Sequence, residues 1–198
     1  MGRVAGVDEV GRGAWAGPIA AAAVCLTQVQ AERLLRAPWW RRVADSKVLT
    51  APAREEIYVA ATAEVPFAVA ALTARQIDAM GIGAANRRVV ELALSKLKPK
   101  PGFALIDYVP KLAPKQAGVS VRTVVDGDAR VFVVALASII AKVTRDRLME
   151  KFDATYPGYG FAQHKGYGTA AHRAALERFG PLPLHRKSFQ PVSLLGGA

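Results

Sequence analysis

The residues best suited to chemistry are carboxylates that follow apolar segments typical of β-strands. These are Asp8, Glu9, Asp107 and Asp128. In open α/β sheets ligands collect at the carboxyl ends of strands, and carboxylate oxygens suit hard divalent cations such as Mg²⁺ or Mn²⁺. The pattern favours a metal site. Ordinary strand-end and turn acids would give the same pattern, and periodicity alone does not separate the two interpretations.

Asp8 and Glu9 are neighbours at the end of a predicted strand, which is costly because like charges repel and raise a pKa. Adjacent strand residues point to opposite faces of a sheet. The two side chains can therefore share one site only where the chain bends, and Gly11 and Gly13 supply the freedom for such a bend. A bound cation would offset the repulsion.

The charge balance indicates a polyanionic partner. The 198 residues include 27 Lys or Arg and 16 Asp or Glu, a formal net charge of +11, and neutralising phosphates releases counterions that drive nucleic-acid binding. An anionic membrane surface is the alternative. It lacks support, because no basic amphipathic run is present and no apolar stretch approaches the roughly 18 residues of a membrane span. We expect a monomeric, cytoplasmic protein that binds nucleic acid.

The cysteine and the histidines are expected to be structural. Cys25 lies in an alanine-rich apolar run and is predicted to be a core residue in a reducing compartment. His164, His172 and His185 have no zinc-like spacing, so they are not expected to bind metal.

Apolar spacing predicts the elements that must position these residues. Strands are predicted at residues 3–8, 19–26, 66–72, 103–106 and 119–125. Helices are predicted at residues 28–36, 51–63, 73–80, 84–97, 131–152 and 169–179, with Thr50 as the N-cap of the second. Strands first, then alternating strands and helices, favour an α/β domain with a mixed sheet.

The glycine-rich turn at residues 11–17 is not a dinucleotide-binding fingerprint. Its third glycine comes one position late, and Pro18 with a following strand replaces the required helix. The segment Gly11-Arg12-Gly13 instead suits a close approach of backbone amides to a nucleic-acid backbone.

Two further segments carry polar groups. Ser138, Lys142 and Arg145 have helical spacing and form one polar stripe on an otherwise apolar helix. A solvated face with a Lys142–Asp146 ion pair is the simpler interpretation of that stripe. Tyr167 lies between two glycines, where its ring would either pack in the protein or stack on a sugar or base.

Together these segments resemble ribonuclease HII, the type 2 ribonuclease H family, from about residue 4 to about residue 189. The likeness is carried by residues 6–13, 16–18, 45–49, 106–107, 127–128, 137–146 and 164–169. It implies a ribonuclease H-like mixed β-sheet flanked by helices, with a catalytic domain at 1–153 and a small helical substrate-binding extension at 154–198. It also implies cleavage of the RNA strand of RNA–DNA hybrids and nicking 5′ to single ribonucleotides in duplex DNA, giving 5′-phosphomonoesters.

The resemblance also implies roles for individual residues. The four acids would be catalytic and would hold two Mg²⁺ or Mn²⁺ ions, with Asp146 in a secondary role. The residues expected to bind substrate are Gly11, Arg12, Gly13, Lys47, Ser138, Lys142, Lys165 and Tyr167. Among these, Gly11-Arg12-Gly13 would read the RNA–DNA junction and Tyr167 would stack on a sugar.

The chain departs from the family pattern at three places near these residues. Ala14-Trp15 stands where smaller or aliphatic residues, often with a proline, are more usual. Asp107 is followed by Tyr108-Val109 rather than the frequent glycine, and Asp126 stands where a lysine is common. None of these departures removes a catalytic acid. The carboxylate of Asp126 bears on metal affinity.

Two rival functions fit the same residues. Other ribonuclease H-like nucleases, such as junction resolvases, also use acid clusters and metals, and a non-catalytic nucleic-acid-binding module could carry the acids for structural reasons. The tail at residues 190–195 partly resembles a sliding-clamp-binding peptide but lacks the aromatic pair. A disordered end is therefore expected.

Overall fold

A mixed β-sheet forms the centre of the molecule. The computed structural model describes residues 2–34, 36–43, 49–113 and 115–195. Within these ranges the strands are β1 (Arg3–Val10), β2 (Ile19–Thr27), β3 (Phe67–Leu72), β4 (Phe103–Asp107), β5 (Lys115–Gln116) and β6 (Val119–Val124). Their spatial order is β3-β2-β1-β4-β6-β5. The β1–β4 and β4–β6 pairs are parallel and the other pairs antiparallel, which confirms the predicted mixed sheet and adds β5 to it.

Helices cover both faces of the sheet. They are α1 (Gln28–Leu34), α2 (Ala51–Glu64), α3 (Ala74–Met80), α4 (Ile82–Lys96), α5 (Gly127–Arg130), α6 (Phe132–Thr155), α7 (Phe161–His164), α8 (Ala170–Phe179) and α9 (Val192–Leu195). Thr50 caps α2 as predicted, since its side chain accepts from the N–H of Ala53. The short helices α5, α7 and α9 were not predicted. None of the helices in the described ranges is long and apolar enough to cross a membrane.

Strand β2 is buried on both faces because it lies between two helical layers. Its residues from Ile19 to Leu26 are apolar throughout, as is typical of a central strand. Ala23 and Cys25 belong to the apolar cluster that includes α4, whereas Ala22 and Val24 belong to the cluster that includes α6. Cys25 is 1% exposed, so its predicted core position is confirmed.

Gly6 allows α6 to approach β1 closely. A Cβ atom on Gly6 would lie 2.2 Å from the carbonyl oxygen of Val133, so any other residue would force the helix away from the strand. The helix is buried from Val133 to Ala141, and Ser138 is the one polar residue of that stretch. This close contact brings Ser138 on α6 to the carboxyl end of β1.

The segment after α6 packs on the turn between β1 and β2. The N–H groups of Trp15 and Ala16 donate to the carbonyl of Gly166 at 2.9 and 3.2 Å, and the N–H of Gly17 donates to Leu184 at 2.9 Å. Helix α6 continues through residue 153, where the domain boundary was predicted. The division into two domains stays a prediction.

The end of the chain forms a short helix, α9. Val192 is 1% exposed and the N–H of Ser193 donates to the carbonyl of Phe189 at 2.9 Å. The expectation of a disordered end is therefore wrong for residues 192–195, because burial of Val192 fixes the segment on the protein. Clamp binding by this tail stays a prediction.

Candidate active site

Three of the predicted catalytic carboxylates meet at one edge of the sheet. Asp8 and Glu9 lie near the carboxyl end of β1, and Asp107 is the last residue of β4. Val7 pairs with Ile106 in parallel register, so Asp8 and Asp107 are the next residues along two adjacent strands. The strand register thus places these carboxylates side by side.

The fourth carboxylate, Asp128, reaches this edge by a different route. Asp126 adopts a left-handed conformation with φ 52°, which turns the chain into α5. The N–H of Gly127 then donates to Oδ1 of Asp107 at 2.8 Å. Asp128 follows in the first turn of α5 and is 4% exposed. It does not line the cavity that the other three acids share.

A cavity of about 280 Å³ lies at this edge of the sheet. It is lined by Asp8, Glu9, Val10, Gly11, Arg12, Gly13, Asp107, Ser138, Lys142 and Tyr167. All of these residues except Val10 were predicted to belong to the site. Acids, the glycine-rich turn, the polar stripe of α6 and the aromatic ring therefore converge from four separate parts of the sequence.

Burial makes the charged forms of these carboxylates unfavourable. It raises the pKa of Asp8 to about 8, even though Ser138 provides a hydrogen bond that lowers it. Repulsion by Glu9 and Asp107 adds to the rise. Burial also raises the pKa of Glu9, and a hydrogen bond from Asn86 counteracts only part of this. A cation bound between the carboxylates would offset both the repulsion and the desolvation.

Asn86 is a site residue that sequence reasoning missed. It lies on α4, is 1% exposed, and its Nδ2 donates to Oε1 of Glu9 at 3.1 Å. The signal in the sequence is its position on the apolar face of α4, next to Ala85 and three residues before Val89, both of which are fully buried. A polar side chain on such a face requires a buried partner, and here that partner is Glu9.

The donor set fits a hard divalent cation. In the described ranges, no three His, Cys, Asp or Glu side chains already stand as a group that could hold a metal ion. Carboxylate oxygens are nevertheless the ligands that Mg²⁺ and Mn²⁺ prefer. Oε2 of Glu9 is buried and has no hydrogen-bond partner among the described residues. A cation beside Glu9 would satisfy this oxygen.

The comparison with known proteins decides the family. The family model of ribonuclease HII matches residues 5–192. A ribonuclease HII of Chloroflexus aggregans is 49% identical over 194 residues, which cover 96% of this chain and 87% of that protein. The chain belongs to the ribonuclease HII family. It is accordingly an enzyme of an endonuclease family.

Further relatives agree with this assignment. A ribonuclease HII of Dehalococcoides mccartyi is 44% identical over 192 residues, covering 96% of this chain and 86% of that protein. The crystal structure of the ribonuclease H2 from Pyrococcus horikoshii superposes with a TM-score of 0.81 at 28% identity, over 98% of this chain and 96% of that one. The ribonuclease H-like fold expected from the sequence is thereby confirmed.

Two of the lysines expected to bind substrate form ion pairs. Lys142 lies 2.8 Å from Asp146, the pair that the sequence predicted, and Lys165 lies 2.6 Å from Glu150. All four side chains line a wider pocket of about 590 Å³ beside the acid cavity. Lys47, also expected to bind substrate, lies outside the described residues.

Two arginines of this ribonuclease HII chain are almost completely buried. Arg145 was expected on a solvated stripe with Lys142, but it is 1% exposed, so that expectation is wrong for Arg145. Arg186, which is 0% exposed, was missed because it lies in a basic segment before the chain end. Burial lowers the pKa of both groups, that of Arg186 to about 10. Arginine is effectively always protonated in proteins, so both remain charged at neutral pH.

The histidines form a buried network that holds the backbone around Tyr167. Nδ1 of His172 lies 2.9 Å from the carbonyl oxygen of Tyr167, and its Nε2 lies 3.1 Å from Nε2 of His185. Nδ1 of His185 accepts from the N–H of Leu182, which assigns the shared proton to Nε2 of His185. Burial lowers the pKa of both rings to about 4. They are therefore neutral at pH 7.

Proposed function

We propose that this protein is a divalent-metal-dependent endonuclease that cleaves the RNA strand of RNA–DNA hybrids and nicks duplex DNA on the 5′ side of a single ribonucleotide. The observation that carries the proposal is the shared cavity, in which three carboxylates lie beside a glycine-rich turn and an aromatic ring. Membership of the ribonuclease HII family supports it, as does the net charge of +11, which favours binding to a polyanion.

The residues proposed to hold two divalent ions are Asp8, Glu9, Asp107 and Asp128. When bound, such ions activate a water and stabilise the leaving oxygen during in-line displacement at phosphorus. The protein itself contributes by positioning these carboxylates. Strands β1 and β4 hold Asp8 beside Asp107, Asn86 orients Glu9, and the N–H of Gly127 orients Asp107.

Selectivity for ribose is proposed to come from the turn, with the ring packing on the neighbouring sugar. The 2′-hydroxyl both donates and accepts hydrogen bonds, and it distinguishes ribose from deoxyribose. The backbone of Gly11-Arg12-Gly13 lines the cavity directly after the acids of β1, which puts its polar groups within reach of a sugar at the cleavage point. Tyr167, across the same cavity, would pack against the following deoxyribose.

Affinity is proposed to come from basic residues that contact phosphates without reading sequence. Lys142 lines both pockets, and Lys165 lines the wider one. The segment after residue 153, which supplies Lys165 and Tyr167, would then act as the substrate-binding extension. Binding of this kind weakens steeply as salt rises.

A cleavage map tests the proposal. A DNA duplex containing one ribonucleotide, a long RNA–DNA hybrid and an all-DNA duplex are incubated with Mg²⁺, Mn²⁺ or a chelator. The expected products are a single nick 5′ to the ribonucleotide, multiple cuts in the RNA strand of the hybrid and no cut in the all-DNA duplex. The chelator should abolish both activities.

Two results would replace the proposal with a rival. Cleavage of all-DNA junctions at a rate that equals or exceeds that at the ribonucleotide would identify a junction resolvase. Binding of hybrids that persists in chelator, with no cleavage in either metal, would identify a non-catalytic binding module.

A further inference from the structure

Two buried guanidinium groups lie directly behind the glycine-rich turn. Among the described residues neither Arg145 nor Arg186 forms a salt bridge with a carboxylate. A buried charge without hydrogen-bond partners is strongly unfavourable. Both guanidinium groups donate their hydrogen bonds to backbone carbonyl oxygens. Each arginine therefore fixes the position of the particular segment whose carbonyls it binds.

Arg186 holds the carbonyls of the turn itself. Its Nη2 donates to Gly11 at 2.6 Å and to Gly17 at 3.0 Å, its Nη1 donates to Arg12 at 2.8 Å, and its Nε donates to Gly17 at 3.1 Å. One rigid, planar group therefore fixes both peptide units that join Gly11, Arg12 and Gly13.

Fixing these two carbonyls also fixes the amides that oppose them. In a planar trans peptide the C=O of one residue and the N–H of the next point in opposite directions. The carbonyls of Gly11 and Arg12 point to the buried guanidinium, so the N–H groups of Arg12 and Gly13 point away from it. Arg12 and Gly13 are exposed and line the cavity. The two N–H donors are thus turned to the side on which a substrate would lie.

Arg186 is itself held firmly. Its N–H donates to the carbonyl of Trp15 at 2.8 Å, and the next two backbone N–H groups donate to the carboxylate of Asp78 at 2.9 and 3.0 Å. The guanidinium lies 5.1 Å from the ring centre of Phe189. The group is therefore in place before any substrate binds, and an arrangement of this kind loses little entropy on binding.

Arg145 has the same chemistry and a different target. It donates to the carbonyls of Pro18, Ala16 and Lys165 at 2.9, 3.1 and 2.8 Å. Its side chain packs against Gly11, which has φ +85°, but its donors do not reach the carbonyls of Gly11 or Arg12. Arg145 therefore joins the far end of the turn to the segment that carries Tyr167.

We propose that Arg186 is a positioning residue for ribose selectivity, which holds the N–H groups of Arg12 and Gly13 in the orientation that donates to a 2′-hydroxyl oxygen. The inference rests on the proposed function of the turn. Arg145 has a different role: it fixes the segment that carries Tyr167, which contributes equally to the binding of ribose-containing and all-deoxyribose substrates.

The variants Arg186→Lys and Arg145→Lys test this division. Each keeps the positive charge and loses the planar set of donors, and lysine at position 145 keeps the Cδ atom that packs against Gly11. Binding is measured in Ca²⁺, which replaces the catalytic ion, with a duplex containing one ribonucleotide and with an all-DNA duplex of the same sequence. The wild type should prefer the ribonucleotide duplex, because hydrogen bonds to the 2′-hydroxyl add affinity by roughly 3- to 10-fold.

We expect Arg186→Lys to remove this preference by weakening binding to the ribonucleotide duplex alone. Arg145→Lys should weaken binding to both duplexes by a similar factor and keep the preference. Urea unfolding of both variants reports their folding. Because a general loss of structure would affect the two duplexes equally, the ratio of the two dissociation constants separates positioning from stability.

Two outcomes overturn the inference. The first is a folded Arg186→Lys variant that keeps the wild-type preference, and the second is an equal loss of preference in both variants. If Arg186→Lys does not fold, NMR on the wild type tests whether the two amides recognise the ribonucleotide. The amide signals of Arg12 and Gly13 should shift more on adding the ribonucleotide duplex than on adding the all-DNA duplex, and equal shifts would refute the inference. A wild type that neither prefers nor cleaves the ribonucleotide duplex would instead refute the proposed function.

Discussion

The acids at the carboxyl ends of β1 and β4 line one cavity with the first three residues of the β1–β2 turn (residues 11–18). The acids and the turn are stabilised in opposite ways. At the acid edge, like charges are crowded in a buried place, and Oε2 of Glu9 has no partner among the described residues. In the turn, two guanidinium groups donate to backbone carbonyl oxygens, and carbonyl oxygens of the C-terminal segment accept from backbone N–H groups of the turn. Bound cations would satisfy the acid edge, whereas the carbonyl groups of the turn already have partners within the protein.

This difference matches what each region is proposed to do. Stabilising charge at a reacting phosphate requires ions, and a site built for ions is electrostatically unfavourable without them. Recognition of a sugar is strongest when the hydrogen-bond donors already have the bound orientation, because ordering a donor on binding costs conformational entropy. Each region should therefore respond to substitution in its own way.

The largest effect is expected at the acid edge. Asp8→Asn removes a central carboxylate and keeps the size of the side chain, so cleavage should fall on the order of 10³-fold, the upper range for loss of one charge-stabilising group. Hybrid binding should be largely retained. Single-turnover cleavage and binding in Ca²⁺ measure the two quantities, with Asp153→Asn on α6 as a matched control. Undiminished turnover by Asp8→Asn would contradict the metal assignment.

The second effect concerns the stability of the region that carries Tyr167. His172 and His185 have a pKa of about 4 in the folded protein and about 6.5 in the unfolded chain. As the pH falls below 6.5 the unfolded state takes up protons first, so the free energy of unfolding should drop between pH 6.5 and 4, by roughly 3 kcal/mol for one ring. Urea unfolding across this range measures the slope. His185→Asn removes one titrating ring and should flatten the curve, and an unchanged slope would refute the neutral network.

A third effect tests the ring that faces the turn. Tyr167→Ala should lower kcat/KM at a single ribonucleotide by roughly 5- to 150-fold, because loss of one stacking contact costs about 1–3 kcal/mol. Tyr167→Phe keeps the ring and serves as the matched control, with activity near that of the wild type. Equal activity of all three proteins would show that the ring only packs within the protein.

The smallest effect is expected at Asn86, which donates to Glu9 and does not itself line the cavity. Asn86→Ala should weaken Mn²⁺ binding by about 10-fold, the lower end for loss of a group that orients a metal ligand. Isothermal titration with Mn²⁺ measures this, and Arg88→Ala on the exposed face of α4 is the control. Recovery of full activity at high Mn²⁺ is expected. A loss that excess metal does not restore would indicate a role beyond orientation of Glu9.

Most of the acid edge and the main elements were predictable because their signals are local. Apolar runs ending in acids mark strands β1 and β4, and Thr50 with a following proline marks the start of α2. Polar residues buried by distant parts of the chain were not predictable. The sequence favoured a solvated position for Arg145 and did not indicate that Arg186 is buried. Most of the carbonyl groups that these two arginines bind belong to residues more than 100 positions away.

The sequence by itself determined the reactive groups: the acid pair at residues 8 and 9, the glycines that bend the chain after them, and the tyrosine at 167. These residues can be recognised in the sequence because each residue type has its own chemistry. The tertiary structure alone decided how the groups meet. Parallel register set Asp8 beside Asp107, the absence of a side chain at Gly6 let α6 reach the strand, and Arg186 fixed the turn. These are relations between distant segments, and packing, rather than local pattern, specifies them.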